Sequence, residues 1–494
     1  MTDLLLGVDA GLTTIKAVLF DLDGQTVAVA RVPTPLTADP TGRSEIDMAA
    51  QWDATCRAIR SALAQADADA RQIAGIGLSG HGNGAYLLDR AGAALEPAIS
   101  SMDHRALSLL KAVSPAVRAA LRELTFQTLW SGQPGLILRW LRQHEPARYR
   151  QIGTVLFCKD WLRYCLTGVI ATDVTDVSAS GLYAVGARAY DATICELLGI
   201  PEARAWLPEA RPSHQVIGPV TAAAAEQTGL AAGTPVVAGL FDVTANALGA
   251  GLVDEGRFCT VGGTWSLNIG LSRRPRVPTA IRQCTIYADE GLYSNIDSSA
   301  TSAANLEWFH RRALGDGATY VDFERALTEA RPAAAAPLFL PFVYGGLRDD
   351  DPGGGFLGLR SSHGRADLLI AVAEGIAFAH RYHIENLRRE GLTGDRVLFT
   401  GGASRNAPLC QLLADILGLP VTVPASDETG ALGAGMVAAV GIGAFPHVRA
   451  AAAQMAHERE TYLPDPAVRE HHDRRYGRFL AALDWLSAPH REDT

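Results

Sequence analysis

Short apolar runs separated by glycine-rich or polar turns open the chain and predict β-strands. Three of them follow one another closely, at Leu4–Asp9, Ile15–Phe20 and Thr26–Ala30. Because only short turns join them, these runs predict an antiparallel meander. Apolar residues then recur at helical spacing over Met48–Ala66, which predicts an amphipathic helix.

A strand, a Gly-Gly turn and a helix follow one another late in the chain. The strand is Arg396–Thr400, the turn is Gly401–Gly402, and the helix Pro408–Leu417 stops at a glycine. Two residues without side chains let a flat ligand lie on the backbone, and the helix N-terminus offers free N–H groups to an anion. The pattern indicates a nucleotide site, and its alternative is a tight loop between two packed elements.

The first predicted hairpin has a tip with its own chemistry. Asp9 ends the first strand, Gly11 and Thr13 lie in the turn, and Lys16 starts the return strand. A carboxylate at a strand end can hold Mg²⁺ through water, and the N–H groups after a glycine can form a nest for phosphate oxygens. An ordinary hairpin with a polar tip is the alternative.

A second strand, Gly-Gly-Thr tip and strand occupy Gly256–Gly270. Laid on the first hairpin, Gly263 falls on Gly11 at an offset of 252 residues, about half of the chain, and Val261 falls on Asp9. The two halves therefore look like related modules, of which only the first keeps the acid on the metal side.

An acidic residue ends another buried strand. The apolar run Thr234–Phe241 leads into Asp242, and a helix rich in small residues follows from Val243. A carboxylate at the carboxyl end of a buried strand, next to a helix N-terminus, is well placed for catalysis. It is equally well placed to cap that helix.

The glycines Gly75, Gly77 and Gly80 match G-x-G-x-x-G, but they do not predict a dinucleotide fold. That fingerprint should open a helix, and here a glycine-rich turn and another strand follow. His81 and Asn83 lie in this turn, where they could donate hydrogen bonds to a ligand or stabilise the turn itself.

Asp103 and Arg105 precede the next helical stretch. They are candidates for binding polar groups of a substrate. The alternative is a helix N-cap with an ion pair on the surface.

Composition narrows the class of protein. The chain has 494 residues, 48% hydrophobic and 20% charged, with a net charge of −9 and a pI near 5.8. This balance argues against nucleic acid or an anionic membrane as the main partner. Seven scattered cysteines without a C-x-x-C spacing favour reduced, mostly buried thiols and no zinc site. The N-terminus lacks a signal-peptide pattern and no apolar run reaches about 20 residues, so a cytoplasmic protein is expected.

Phosphoryl transfer needs positioning, Mg²⁺ and one base for the accepting hydroxyl. The two hairpins, the strand-end acid Asp242 and the Gly-Gly turn can supply all of these. The chain carries neither a Walker A lysine motif nor the H-R-D set of protein kinases.

Along nearly its whole length the sequence resembles the FGGY carbohydrate kinases, a family of the actin/Hsp70/hexokinase ATPase superfamily. Within that family it is most similar to the L-xylulose kinase branch, in stretches such as Thr128–Pro134, Leu138–Tyr149 and Ser302–Phe309. The family motifs are matched at Gly7–Lys16, Ser79–Gly84, Met102–Arg105, Gly239–Asp242, Gly262–Thr264, Gly401–Asn406 and Glu428–Ala434.

The resemblance implies an α/β fold of two ribonuclease H-like domains with a cleft between them. Residues 1–246 would form the sugar-binding domain and residues 247–494 the nucleotide-binding domain. It further implies an ATP-dependent kinase that uses Mg²⁺, acts on a primary hydroxyl of a small sugar, most closely L-xylulose, and forms a homodimer.

Carried over residue by residue, the resemblance makes Asp242 the general base and a metal ligand together with Asp9. The remaining implied roles fall into three groups: phosphate binding by Gly11, Thr13, Gly263 and Thr264; adenosine binding by Gly401, Gly402 and Asn406 with Gly345 and Gly346 nearby; and sugar binding by Asn83, Asp103, Arg105 and Asp242.

Other acceptors and other classes of protein stay open at this point. Ser101 stands where other members have Trp, and His81–Gly84 replaces the Gln-Met-His-Gly of D-xylulose kinases, which counts against D-xylulose. D-Xylulose, erythritol or another polyol remain alternatives as acceptors. A sugar- or nucleotide-binding regulator and an ATP-driven clamp of the Hsp70 or actin type are the alternatives from other classes.

Overall fold

The computed structural model describes residues 3–263, 265–289, 291–313, 324–325, 327–328, 336–347 and 353–487. Its strands are β1 Leu4–Ala10, β2 Thr14–Phe20, β3 Thr26–Pro33, β4 Leu36–Ala38, β5 Ser44–Ile46, β6 Ile73–Gly80, β7 Tyr86–Asp89, β8 Ala98–Ile99, β9 Ile152–Leu156, β10 Thr172–Asp173, β11 Ala210–Arg211, β12 Val216–Pro219, β13 Pro235–Val237, β14 Leu240–Phe241, β15 Gly256–Gly262, β16 Ser266–Ser272, β17 Gln283–Ile286, β18 Tyr293–Ser299, β19 Leu338–Leu340, β20 Gly355–Leu357, β21 Gly394–Thr400, β22 Val421–Pro424 and β23 Glu458–Tyr462.

The helices connect these strands in an α/β arrangement. They are α1 Met48–Ala66, α2 Leu107–Ala112, α3 Pro115–Thr125, α4 Pro134–His144, α5 Pro146–Tyr149, α6 Cys158–Thr167, α7 Val174–Ala179, α8 Ala192–Leu197, α9 Ala222–Thr228, α10 Asp242–Gly249, α11 Ala303–Trp308, α12 Arg365–Arg389, α13 Ala407–Leu417, α14 Thr429–Gly441, α15 Val448–Met455 and α16 Arg469–Ser487.

The chain forms two compact units that are interleaved in sequence. The first unit comprises Met1–Asp254, Ser272–Asn295 and Glu428–His457. The second comprises Glu255–Leu271, Ile296–Asp427 and Glu458–Thr494. The boundary between residues 246 and 247 stays a prediction about the sequence halves. The late helices α14 and α15 belong to the first compact unit.

The first unit is built on a sheet in the order β12, β13, β6, β1, β2, β3, with β14 also paired to β6. β1, β2 and β3 are antiparallel neighbours, and β1 runs parallel to β6. This confirms the meander that the short turns predicted. The side chains that close the core include Leu6, Val8, Ile76 and Leu78, all of them fully buried. Burial on this scale is the main favourable term in folding.

Glycines let α14 lie directly on the strands of the first unit. A Cβ on Gly77 would come 1.9 Å from the backbone oxygen of Ala434, and one on Gly7 would come 2.1 Å from that of Ala431. Cβ atoms do not approach backbone atoms this closely, so only glycine fits at these two strand positions. Small residues in α14 and glycines on the strands together allow this close packing.

We expect Gly77→Ala to destabilise the fold by about 3 kcal/mol or more, because α14 would have to move away from β6. Urea denaturation of the full chain measures this. The matched control is Gly477→Ala in α16, where an added Cβ meets no atom within 4 Å. A helical Gly→Ala change in open space should stabilise by about 0.5–1 kcal/mol. Equal midpoints for the two variants would contradict the packing argument.

Strands of the second unit repeat the arrangement of the first. β18, β16, β15, β21, β22 and β23 lie in that order. β15 is antiparallel to β16 and parallel to β21, as β1 is antiparallel to β2 and parallel to β6. The similarity of the two halves predicted from the hairpins is confirmed in this strand order.

All seven cysteines are free thiols, and six of them are buried. This agrees with the reduced, mostly buried thiols expected from their spacing. Within the described residues, no helix combines the length and the apolar character that crossing a membrane requires.

Candidate active site

Asp9 lies at the carboxyl end of β1, where three elements of the first unit converge. It pairs with Lys16 across the hairpin, and its Oδ1 accepts a hydrogen bond from Ser79 Oγ on β6 at 2.9 Å. A Cβ on Gly430 would come 2.8 Å from Asp9 Oδ2, so the carboxylate also lies against the first turn of α14. Burial raises the pKa of Asp9, while Lys16 and Ser79 act to lower it.

The tip of this hairpin keeps its backbone ordered and its side chains open. The Gly11 N–H donates to the Thr14 carbonyl at 3.1 Å, and Thr34 Oγ1 donates to the Gly11 carbonyl at 2.7 Å. The Thr13 side chain is exposed. The hairpin therefore holds a polar, accessible tip beside Asp9.

Asp242 is the first residue of α10 and directly follows β14. β14 is parallel to β6, with Leu240 opposite Ser79, so Asp242 and Asp9 lie at the same edge of the sheet. Because the helix begins at Asp242 itself, this residue is not the helix N-cap that was the alternative. Its Oδ1 accepts the Val243 N–H at 2.7 Å.

Asn246 joins the two helices of this edge. Its Nδ2 donates to the Asp242 carbonyl at 2.9 Å, and its Oδ1 accepts from Thr429 Oγ1 at 2.9 Å. The first turns of α10 and α14 are therefore tied together behind the two acids.

The carboxylates of Asp9 and Asp242 influence each other. Burial, followed by the negative charges of Asp9 and Asp176, raises the pKa of Asp242 well above its ordinary value. Two partly accessible carboxylates that repel each other suit a hard divalent cation such as Mg²⁺, which prefers oxygen ligands. The residues present therefore fit a bound Mg²⁺.

A fully buried cluster of charges lies behind this edge. Lys159 Nζ lies 2.8 Å from Asp160 Oδ1, 3.0 Å from Asp173 Oδ1 and 3.0 Å from Asp176 Oδ2. Arg163 Nη1 lies 2.9 Å from Asp160 Oδ1. Buried charges persist only where they are paired this closely, so the cluster fixes α6 and α7 against each other.

The cluster is connected to Asp242 through the backbone. Thr175 of α7 donates its hydroxyl to Asp173 Oδ2 at 2.7 Å, and its Oγ1 accepts the Phe241 N–H at 2.9 Å. Phe241 is the residue before Asp242. The buried charges thus help to hold the turn that presents the acid.

The glycine turn after β6 carries polar atoms without a protein partner. Asn83 lies at φ 60°, in the left-handed region, and its Oδ1 is buried without a hydrogen-bond partner among the described residues. The same is true of His81 Nδ1, while His81 Nε2 lies 3.0 Å from Tyr86 Oη. Burial lowers the pKa of His81 to about 4, so its ring is neutral near pH 7. Unpartnered buried polar atoms are a mark of a ligand site.

This turn lies between the Asp242 region and the Asp103 region. A Cβ on Gly82 would come 2.4 Å from the Phe241 ring, and one on Gly84 would come 3.0 Å from the Ser101 N. The sequence motifs Ser79–Gly84, Met102–Arg105 and Gly239–Asp242 are therefore brought together within the first unit.

Asp103 and Arg105 form a buried pair, and not the surface ion pair that was the alternative. The Asp103 carboxylate accepts from Ser44 N at 2.7 Å, from Arg105 N at 2.8 Å and from Arg105 Nε at 2.7 Å. Arg105 Nη2 also pairs with Glu45, and the Trp140 ring centre lies 5.2 Å from Arg105 Cζ. Arg105 Nη1 is buried without a hydrogen-bond partner among the described residues. The carboxylate is thus occupied by the protein, whereas one guanidinium nitrogen is available to a ligand.

In the second unit the Gly-Gly turn lies against the second hairpin. Gly401 has φ 91°, and a Cβ on it would come 2.8 Å from the Gly262 carbonyl oxygen. Gly402 faces open space, with no atom within 4 Å of an added Cβ. Asn406 caps α13 by accepting the Leu409 N–H at 2.9 Å, and its Nδ2 lies 3.4 Å from Glu324 Oε1.

A mostly apolar hollow adjoins this turn. Its polar members are Ser302 and His380, and Ala403 of the Gly-Gly turn region lines it as well. The remaining lining residues are Ala303, Leu306, Ala373, Ile376, Ala377, Phe399, Leu409 and Leu413. Most of the wall of this hollow is therefore apolar, and its few polar groups are of the kind that orient a ligand in binding pockets.

The remaining candidate residues of the second half of the chain are Gly345, Gly346, Gly263 and Thr264. Gly345 and Gly346 follow β19, and Gly345 has φ 128°. Gly263 accepts the Ala303 N–H at 3.0 Å. Thr264, the remaining phosphate-binding candidate, lies outside the described residues.

Comparison with known families shows which family the chain belongs to. The model of the N-terminal domain of the FGGY family of carbohydrate kinases matches residues 4–249, and that of its C-terminal domain matches residues 259–442. The chain belongs to the FGGY family of carbohydrate kinases. Like other FGGY kinases it is an ATP-dependent enzyme that phosphorylates a small sugar.

Individual FGGY relatives cover the whole chain. It is 37% identical over 100% of both chains to the L-xylulose/3-keto-L-gulonate kinase of Escherichia coli (strain K12). It is also 37% identical, over 98% of this chain and 99% of the relative, to a probable L-xylulose kinase of Pasteurella multocida (strain Pm70). The crystal structure of xylulose kinase from Rhodospirillum rubrum superposes with a TM-score of 0.87 at 30% identity, covering 98% and 99% of the two chains.

Sequence reasoning missed the buried charge cluster of this FGGY kinase. A signal was present, because Lys159, Asp160 and Arg163 stand in an otherwise apolar helix that ends at Gly168. Charges on the buried face of a helix need partners. Those partners, Asp173 and Asp176, follow in the next polar segment.

Proposed function

We propose that this kinase transfers the γ-phosphoryl group of ATP to a primary hydroxyl of a ketopentose such as L-xylulose, with Asp242 as general base. The observation that carries the proposal is the Asp242 carboxylate at the edge of the first sheet, next to a turn in which Asn83 Oδ1 and His81 Nδ1 are buried without a hydrogen-bond partner among the described residues. Asp242 would take the hydroxyl proton, the hydroxyl oxygen would bond to the γ-phosphorus, and ADP would leave with the bridging oxygen.

Orientation of the sugar is proposed to rest on Asn83 and Arg105. Asn83 Oδ1 would accept from a sugar hydroxyl, and Arg105 Nη1 would donate to a hydroxyl or carbonyl oxygen. Both atoms are buried without a hydrogen-bond partner among the described residues. Asp103 belongs to the same site but acts by fixing the Arg105 guanidinium, since its own oxygens are already engaged. A preformed hydrogen-bonding site of this kind discriminates strongly between acceptors.

Phosphate and metal binding are proposed for the two hairpin tips. In the first unit, Gly11 and Thr13 would bind phosphate oxygens, and Asp9 with Asp242 would hold Mg²⁺, which offsets phosphate charge when bound. In the second unit, Gly263 and Thr264 would bind phosphate, and Gly401, Gly402 and Asn406 the adenosine, with Gly345 and Gly346 nearby.

The test of this proposal is ADP release measured with Mg-ATP against a panel of acceptors: L-xylulose, D-xylulose, D-ribulose, L-ribulose, erythritol, glycerol and a keto sugar acid. We expect L-xylulose to exceed the other neutral sugars by about 10²-fold in kcat/KM. Chelation of divalent cations should abolish turnover. A different sugar leading the panel would overturn the L-xylulose assignment and leave the kinase assignment intact.

A sugar acid is a second candidate acceptor, and Arg105 is the observation that favours it. A guanidinium with one free, buried nitrogen can pair with a carboxylate. One relative is named for L-xylulose and 3-keto-L-gulonate together. If the acid is the better acceptor, Arg105→Lys should raise KM for the acid about tenfold and KM for L-xylulose less, since Lys cannot reproduce the guanidinium geometry.

A further inference from the structure

A chain of four buried side chains runs from α12 to the loop after β18 in the second unit. His383 Nδ1 lies 2.7 Å from Asp297 Oδ2, and His383 Nε2 lies 2.6 Å from Ser299 Oγ. Ser299 Oγ lies 2.8 Å from Thr301 Oγ1. Asn386 Nδ2 donates to the same Asp297 oxygen at 2.8 Å. We call the set Asp297, His383, Ser299 and Thr301 the polar chain.

When the His383 ring is neutral, the carboxylate at one end gives the hydrogen bonds of the polar chain one consistent direction. Asp297 accepts, so His383 places its proton on Nδ1 and leaves Nε2 as an acceptor. Ser299 then donates to Nε2 and is left to accept from the Thr301 hydroxyl. A chain with a single consistent direction holds its members more firmly than isolated hydrogen bonds do.

The far end of the polar chain leads into the lining of the hollow beside the Gly-Gly turn. Ser302 follows Thr301, lines that hollow, and is 1% exposed, and its Oγ has no hydrogen-bond partner among the described residues. Ala303, the next residue, lines the same hollow and donates its N–H to Gly263 of the second hairpin. The loop fixed by the polar chain therefore contributes a free hydroxyl to the hollow.

We propose that Ser302 is a nucleotide-binding residue of this kinase, and that the polar chain is the positioning device that aims its hydroxyl. The proposal rests on the nucleotide site assigned above. In a mostly apolar hollow, a single unpartnered hydroxyl distinguishes a ring with a polar edge from one without. His383, Ser299 and Thr301 act through Thr301–Ala303 and do not touch the nucleotide themselves.

The arrangement Ser299–His383–Asp297 has the order of a hydrolytic triad, but its surroundings do not suit that chemistry. Ser299 is only 3% exposed and its hydroxyl is shared with His383 and Thr301. A nucleophile must reach a substrate carbonyl next to donors for an oxyanion. The triad geometry here serves to fix a loop.

The experiment compares ATP binding and turnover in the full chain for Ser302→Ala, Ser299→Ala and Thr301→Val. Thr422→Val is the matched control, because Thr422 is buried in the same sheet and its hydroxyl lies 2.9 Å from that of Thr461. We expect each of the three variants to raise the dissociation constant of ATP, measured by titration calorimetry, by about tenfold. KM for the sugar should stay within about twofold of the wild-type value. Thr301→Ser, which keeps the hydroxyl that Thr301→Val removes, should bind ATP as the wild-type protein does.

The outcomes separate this inference from the function on which it rests. Wild-type affinity for ATP in Ser302→Ala would overturn the binding role, and wild-type affinity in folded Ser299→Ala and Thr301→Val would overturn the positioning role. If Thr422→Val loses ATP affinity by the same factor, the effect is merely structural, and the positioning role is overturned as well. Failure of the wild-type protein to bind ATP would instead overturn the nucleotide site itself.

Discussion

Replacing Asp242 by Asn should lower kcat by about 10²-fold or more, the size expected for loss of a general base. The amide keeps the shape of the side chain and can still accept the Val243 N–H, which lies 2.7 Å from the carboxylate. It cannot take the proton of the sugar hydroxyl. We therefore expect sugar affinity within about threefold of wild type, because hydrogen bonds to the sugar are largely kept.

Stopped-flow or steady-state measurement of ADP release gives kcat. Protection against thermal unfolding by added sugar gives the affinity for the sugar. Asp395→Asn is the control, since the Asp395 side chain is 83% exposed and lies at the start of β21, at the opposite end of the strand from Gly401. A turnover number for Asp242→Asn close to that of the control would show that another group accepts the proton. Equal loss of sugar affinity and kcat would instead make Asp242 a binding residue.

The electrostatic setting of Asp242 bears on the pH dependence of catalysis. Burial and the charges of Asp9 and Asp176 raise its pKa well above the ordinary value, so its basic form is favoured as pH rises. A phosphoryl transfer with a loose transition state does not require this, because the proton is transferred late. A cation bound by Asp9 and Asp242 would lower both pKa values and restore the carboxylate form near neutral pH.

Local patterns predicted most of the candidate site because its parts lie at the ends of short elements. An apolar strand precedes each of three candidate residues, Gly11, Gly401 and Asp242. The ends of such strands can be recognised from the sequence. The family resemblance then supplied the fold. The packing of α14 on β1 and β6 was not predictable in this way, because nothing in its local sequence indicates which strands it meets.

The sequence could not show which polar groups are hydrogen-bonded within the protein and to which partners. Asp103 was expected to meet the sugar, and only the structure shows its oxygens engaged by Ser44 and Arg105. Likewise, nothing in the spacing of Ser299 and His383 relates the two, because they come from a strand and a helix 84 positions apart. Hydrogen bonds between distant segments depend on tertiary packing, which leaves no periodic signal.

Replacing Lys159 by Met should destabilise the fold by about 3–5 kcal/mol, the cost of breaking a buried ion pair. The substitution leaves Asp160, Asp173 and Asp176 fully buried with Arg163 as the remaining cation. Urea denaturation measures the loss, and Lys111→Met, at an exposed position of α2, is the control. A midpoint equal to that of the control would show that the cluster is not held by charge.

The pH dependence of the stability of Lys159→Met also tests whether charge holds the cluster, because the direction of the change can be stated in advance. In the wild-type protein burial raises the pKa of Asp176 to about 7, although Lys159 acts to lower it. Without Lys159 that pKa should rise further, so the folded state binds more protons than the unfolded chain between about pH 4 and pH 8, and stability falls as pH rises. The loss of unfolding free energy in Lys159→Met, relative to the wild-type protein, should therefore be smaller at pH 5 and larger at pH 8. Since Thr175 in α7 accepts the Phe241 N–H, kcat of the variant should fall as well, even where it is folded.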